Sequence, residues 1–196
     1  MSKARTEAFS DGVFAVAATL LVFSLHAPDV KSGLAQALLN EWPSYATYAI
    51  SFATILVIWV NHHAVLDAIA HFDRSLLFLN GFLLLTVAAI PFPTGLLGQY
   101  FQAGHDQNAA ATAYGISMSL MALGFTLLNL YAIKRRLITV PLSLLGFSVG
   151  LLMYPFGTLV ALFSAQLALL VYGGTTVFYI ALPLLREART RRELAR

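Results

Sequence analysis

The chain opens with Arg5-Thr6-Glu7-Ala8-Phe9-Ser10-Asp11, which runs directly into the apolar stretch Gly12 to Leu25. Arg5, Asp11 and the Ser10 hydroxyl thus sit at the mouth of a helix of membrane length. Charge this close to hydrocarbon is costly unless it is paired or faces protein or water. The first helix therefore reads as the inside of something rather than as a lipid-facing anchor. It does not read as a secretory leader. Asp11 interrupts the junction, the apolar run is long, and no small-x-small cleavage site follows His26-Ala27-Pro28.

The rest of the composition agrees with a membrane setting. Of 196 residues, 59% are hydrophobic and 11% are charged, against about 25% charged in a soluble domain. Too little polar surface remains to cover a water-soluble globule, so the bilayer must be the solvent. There is no cysteine, which excludes disulfides and thiolate metal sites.

Six segments reach the roughly 20 residues that a helix needs to cross about 30 Å of hydrocarbon. They run over residues 5–26, 43–66, 75–100, 109–133, 140–163 and 165–185, with a very tight hairpin around Ser164 between the last two. Pro91, Pro93 and Pro155 are expected to kink or end helices. Lys3 and Arg5, then Arg74, then Lys134 to Arg136, then the basic tail Arg186 to Arg196 all fall on one side of a six-span chain, while the other side has only Lys31. By the positive-inside rule both termini are cytoplasmic, and the expected location is the plasma membrane. Residues 1–196 form a single domain, and no internal repeat points to an inverted-repeat transporter.

Along the first helix, Phe9, Val13, Val16, Leu20 and Phe23 fall on one stripe, with Gly12 and Thr19 at its edge. Asp11 points about 140° away from Val16 at helical spacing. The stripe reads either as a packed core face, with Gly12, Ala15, Ala17 and Ala18 allowing close approach, or as a pore wall whose apolar rings exclude water. A second constellation is Trp59, His62 and His63, with Asp67 and His71 beyond. His63 and Asp67, and again Asp67 and His71, are four apart and would share a helix face. Metal binding is conceivable there, but hydrogen bonding to Asp11 or Ser10 is the stronger reading. Asn61, Asn80 and Asn129 are expected to bond between helices. Tyr172-Gly-Gly-Thr-Thr lacks the order of a potassium filter loop and reads as a small-residue packing face.

Arg5-x-x-x-Phe9-Ser10-Asp11 opening the first helix, and Trp59-x-x-His62-His63 ending the second, resemble the transmembrane protein 175 family of endosomal and lysosomal potassium channels. The resemblance implies a homotetramer of six-helix subunits with the first helix lining a central pore. It implies that Arg5, Phe9, Ser10, Asp11, Trp59, His62 and His63 hold that helix through polar contacts. It places the constriction at Val16, where the family often has the larger Ile or Leu. Thr19 and Leu20 follow one turn outward, then Phe23, and a ring of Thr19 hydroxyls resembles a polar layer that helps select potassium.

The resulting expectation is an all-α integral membrane protein that passes potassium, and other monovalent cations less readily, without catalysis, cofactor, bound metal or nucleic acid. Its partners are the lipid bilayer and its own copies. Two rival readings remain. One is a proton-permeable channel or ion-coupled transporter using Asp11 with His62 or His63 as titrating groups. The other is an intramembrane metal enzyme using His62, His63 and Asp67.

Overall fold

A computed structural model describes residues 3–28, 33–138 and 144–194. The described residues are helical, joined by short turns. Helix α1 spans Lys3–Leu20 and tightens into a 3₁₀ turn over Leu21–Ser24. There the Leu25 amide donates back to the Val22 carbonyl at 3.1 Å and Leu25 turns extended ahead of Pro28. A short helix α2, Leu34–Asn40, precedes α3, Trp42–Ala68. Helix α4 is Arg74–Ala89, α5 is Pro91–Ala103, α6 is Gln107–Lys134, α7 is Leu144–Ala161 and α8 is Ala165–Leu194.

The ends have local causes. Asp73 starts α4 by accepting the Leu76 amide at 2.8 Å. Its second oxygen accepts the Tyr131 hydroxyl at 2.7 Å. The Leu76 amide first, and then Tyr131, hold this carboxyl below its usual range. Helix α6 closes with a Schellman turn: the Leu137 amide reaches the Ala132 carbonyl at 2.9 Å and the Arg136 amide reaches Ile133 at 3.0 Å. Arg136 stands at φ 56°, in the left-handed position that usually takes glycine, at a cost of about 1 kcal/mol. Ser164 forms the expected tight hairpin, accepting the Leu167 amide on its hydroxyl at 3.3 Å while Asn108 Oδ1 accepts the Ala165 amide at 3.0 Å.

Several boundaries differ from the sequence expectation. The third segment is two helices, because Pro91 has no N–H and its ring clashes with the Val87 carbonyl. The Ile90 amide instead donates to Val87 at 3.1 Å, and Pro91 becomes the first residue of α5. The two helices together still form one apolar stretch, Arg74–Phe101. Of the two outcomes expected at Pro155, a kink or an end, the end does not occur: α7 runs through it. Helix α2 was not anticipated, since seven residues carry too short a pattern. Val140, Pro141 and Lys31 lie outside the described residues. Among the described residues, five stretches are long and apolar enough to cross a bilayer, and Val149–Ala161 within α7 is a shorter apolar one.

Leu21, Ile55, Leu66, Leu76, Leu83, Leu97, Met118 and Met121 are fully buried in one core cluster. Helix α6 packs on α4, α5, α7 and α8, and α1 lies across α3 and α4. Tyr172 is completely buried and donates to the Ala111 carbonyl at 3.2 Å. It fits because Gly115 and Gly157 present bare backbone to its ring; a Cβ on Gly115 would overlap the Tyr172 hydroxyl and Thr158 Oγ1. The Tyr172-Gly-Gly-Thr-Thr run also places Thr176 Oγ1 2.7 Å from Thr54 Oγ1 on α3.

Gly115→Ala should therefore destabilise the subunit by about 1–3 kcal/mol through overpacking. Gly174→Ala, whose Cβ would meet nothing within 4 Å, should not destabilise it. Thermal unfolding in detergent compares them; equal melting of the two variants contradicts the close approach.

Candidate functional site

Helix α1 has two distinct faces. Thr6, Ser10, Phe14, Ala17 and Leu21 are buried against α3 and α4. Phe9, Gly12, Ala15, Val16, Thr19, Leu20 and Phe23 are exposed, with Phe9 at 64%, Val16 at 56% and Phe23 at 73%. Val13, expected on the same stripe, is half-buried and packs on the core. The stripe is thus rotated toward Gly12 and Thr19.

A buried amide fixes that rotation. Asn80 on α4 donates from Nδ2 to the Ser10 hydroxyl at 3.0 Å. Ser10 passes its own hydrogen to the Thr6 carbonyl at 2.8 Å. On its other side Asn80 Oδ1 lies 2.7 Å from His62 Nε2. An amide oxygen can only accept, so His62 Nε2 carries the proton in this arrangement. The imidazole also packs on Phe14, with ring centroids 5.2 Å apart. Ser10, His62 and Asn80 are each at most 3% exposed. One carboxamide thus joins α1, α3 and α4.

A second tie lies alongside. The Trp59 indole N–H on α3 donates to Asp11 Oδ1 at 2.8 Å. Both side chains are half-buried, and the pair ends a groove of about 310 Å³ lined by Phe14, Ala15, Ala18, Phe52 and Leu56. A third, ionic tie was not read from the sequence. Lys3 Nζ donates to the Asp67 carbonyl at 3.0 Å and lies 3.5 Å from its carboxylate and 3.6 Å from Glu7.

Of the seven motif residues, Ser10, Asp11, Trp59 and His62 come together in these ties. His63 is exposed; it stacks on Trp59 at 6.2 Å and lies 3.6 Å from Asp67. Arg5 and Phe9 are exposed on the outer face, and no described residue pairs with Arg5. His71 lies beyond the end of α3, so the helical spacing expected between it and Asp67 does not exist. Among the described residues no group of three His, Asp or Glu side chains is arranged to hold a metal. Asn61 and Asn129 do not bond between helices through their amide nitrogens. Each donates within its own helix, to Val57 and Phe125, at 2.7 Å. Asn80 alone of the three makes the interhelical bridge. Its signal in the sequence is an amide isolated in an apolar run.

The outer face carries one hydroxyl between Gly12 and Phe23, that of Thr19. Its hydrogen is directed back along its own helix, to the carbonyls of Ala15 at 3.0 Å and Val16 at 2.9 Å. What it offers outward is therefore oxygen lone pairs. One turn toward the N-terminus Val16 offers only methyl groups.

Asn80→Leu should leave the His62 and Ser10 side chains buried without their partner, at about 1–3 kcal/mol. Adding Ser10→Ala should then cost less than it does in the parent, because the Asn80–Ser10 bond it would break is already gone. Thermal unfolding of the two single variants and the double variant measures the coupling; strictly additive losses contradict the bridge.

The family model described as endosomal/lysosomal potassium channel TMEM175 matches residues 5–91. A potassium channel from Streptomyces collinus is 40% identical over 185 residues, covering 89% of this chain and 90% of its own. A potassium channel from Chamaesiphon minutus is 45% identical over 120 residues, covering 59% of each chain. The crystal structure of a lysosomal potassium-selective channel TMEM175 homolog from Chamaesiphon minutus shares the fold at a TM-score of 0.81 and 33% identity, over 91% of this chain and 96% of that one. The family match contains every residue of the Ser10–Asn80–His62 and Asp11–Trp59 ties, and the Streptomyces relative extends the likeness over nearly the whole length: the chain belongs to the TMEM175 family.

Proposed function

We propose that the chain is a passive, potassium-preferring cation channel of the cell membrane. It works as a homotetramer of six-span subunits with both termini cytoplasmic and the outer face of α1 lining a central pore. The observation that carries this reading is the two-faced α1. One face is locked by buried polar ties, and the other is left bare, with large apolar side chains and one hydroxyl bonded to its own helix backbone. A relative named a potassium channel, alike over nearly its whole length, supports the ion.

The chemistry follows from the two layers. Four copies of Val16 would form an apolar ring, where an ion loses hydration and receives nothing in exchange. Four copies of Thr19, one turn outward, would face the ion with acceptor oxygen and no competing hydrogen. Such a ring favours a cation over an anion and replaces part of its lost water. Val16 is smaller than Ile or Leu, so the ring it forms is the wider one.

Val16→Asn should raise potassium flux into liposomes holding the purified protein, because an amide replaces lost water. Thr19→Val should lower the preference for potassium over sodium while keeping the pore. Potassium, sodium and proton fluxes measured side by side decide it. If neither substitution changes flux or preference, α1 does not line the pathway. Proton flux that exceeds potassium flux favours the proton-permeable reading.

A further inference from the structure

Two loops meet at the end of the subunit that holds Lys3 and Asp67. Ile69 and Ile138 form an antiparallel bridge, and the Ala70 amide donates to the Leu137 carbonyl at 2.9 Å. The Tyr131–Asp73 hydrogen bond closes the same clasp. It sets Arg74, the first residue of α4, near Lys134, Arg135 and Arg136 at the end of α6. All four are exposed. No described residue forms an ion pair with any of them. Asp67 and Glu7 are engaged by Lys3, and Asp73, held by the Leu76 amide and Tyr131, lies within electrostatic reach of Arg135 without forming an ion pair with it.

The cations are positioned rather than scattered. The Arg74 guanidinium lies 5.9 Å over the Phe78 ring and that of Arg135 lies 6.0 Å over Tyr131. Apolar surface begins at once beside them, since Phe78 is 69% and Leu130 51% exposed. Arg136 occupies the left-handed turn position that glycine fills without strain. Holding an arginine there keeps a charge at a backbone cost, and strain of this kind gathers at functional sites.

We propose that this clasp binds the headgroup phosphate of an anionic phospholipid, in the leaflet that meets this end of the bundle. The proposal rests on the reading that α4 and α6 cross the bilayer. Guanidinium forks match phosphate oxygens in pairs. Basic clusters at the ends of membrane helices attract anionic headgroups. The exposed Phe78 and Leu130 side chains give the acyl chains an apolar surface that a free phosphate would not use.

Native mass spectrometry of the purified full chain tests it, in detergent with equal amounts of phosphatidylglycerol and phosphatidylcholine. The parent should retain phosphatidylglycerol in preference. Each basic side chain near an anionic surface is worth about a fivefold change in affinity, so K134Q/R135Q/R136Q should reduce that preference by at least about tenfold. Arg136→Gly relieves the turn and should melt no lower than the parent, yet lose preference by about fivefold. R186Q/R189Q, a charge loss in the tail, should leave it unchanged. Retention that survives both clasp variants, or falls equally in the tail variant, overturns the site. Inorganic phosphate that displaces the lipid completely at equimolar concentration would overturn the lipid assignment, because the apolar surface beside the clasp would then contribute nothing. Ion flux measured on the same preparations reports separately on the channel reading, which a lost lipid preference would leave intact.

Discussion

The structure depends on one carboxamide. Asn80 joins Ser10 on α1 to His62 on α3, and this decides which face of α1 looks outward. Apolar burial alone could not. Lipid tails are as apolar as leucine, so no hydrophobic force selects a helix face within the bilayer. Helix α1 is apolar on both sides from Gly12 to Leu20 apart from Thr19. A polar bridge with defined geometry supplies the missing selection, and a rotated α1 would leave Asn80 Nδ2 without its Ser10 partner. A single interhelical hydrogen bond in a membrane averages about 0.6 kcal/mol. The bond to Ser10 weighs more because both partners are buried, so its loss leaves the Asn80 amide hydrogen unsatisfied.

The Trp59–Asp11 bond and the Lys3–Asp67 tie act at the same end of α1. They hold the charged mouth of the helix while its apolar remainder runs free of polar contacts on the outer side. This division matches what a pore-lining helix requires. The anchoring groups are satisfied behind the helix, and the surface facing an ion stays unencumbered. The bond of Thr19 to its own helix backbone follows the same logic at one residue, because a hydroxyl that has spent its hydrogen presents acceptor oxygen.

Much of this was legible in the residues. The bilayer setting followed from composition, and the ends of α3 and α6 from the length of their apolar runs. The placement of Asp11 and Trp59 at adjoining helix mouths anticipated their contact. Other features depend on partners or on competition that a linear pattern does not contain. Asn61, Asn80 and Asn129 are chemically alike, yet two of them find a carbonyl four residues back in their own helix and only Asn80 meets other helices. Val13 falls within the apolar stripe by spacing, but it is half-buried and packs against the core. The break at Ile90 turns on whether a proline opens a new helix or bends an old one: Pro91 opens α5, whereas α7 continues through Pro155.

The central claim is that the bare face of α1 is the face that ions pass. The chain has no cysteine, so single cysteines can be introduced without a competing background. A charged methanethiosulfonate reagent applied to conducting protein should block flux when cysteine replaces Val16, Thr19 or Phe23. It should leave flux unchanged when cysteine replaces Phe14, Ala17 or Leu21 on the buried face. Block from the buried face, or none from the exposed one, would contradict the account.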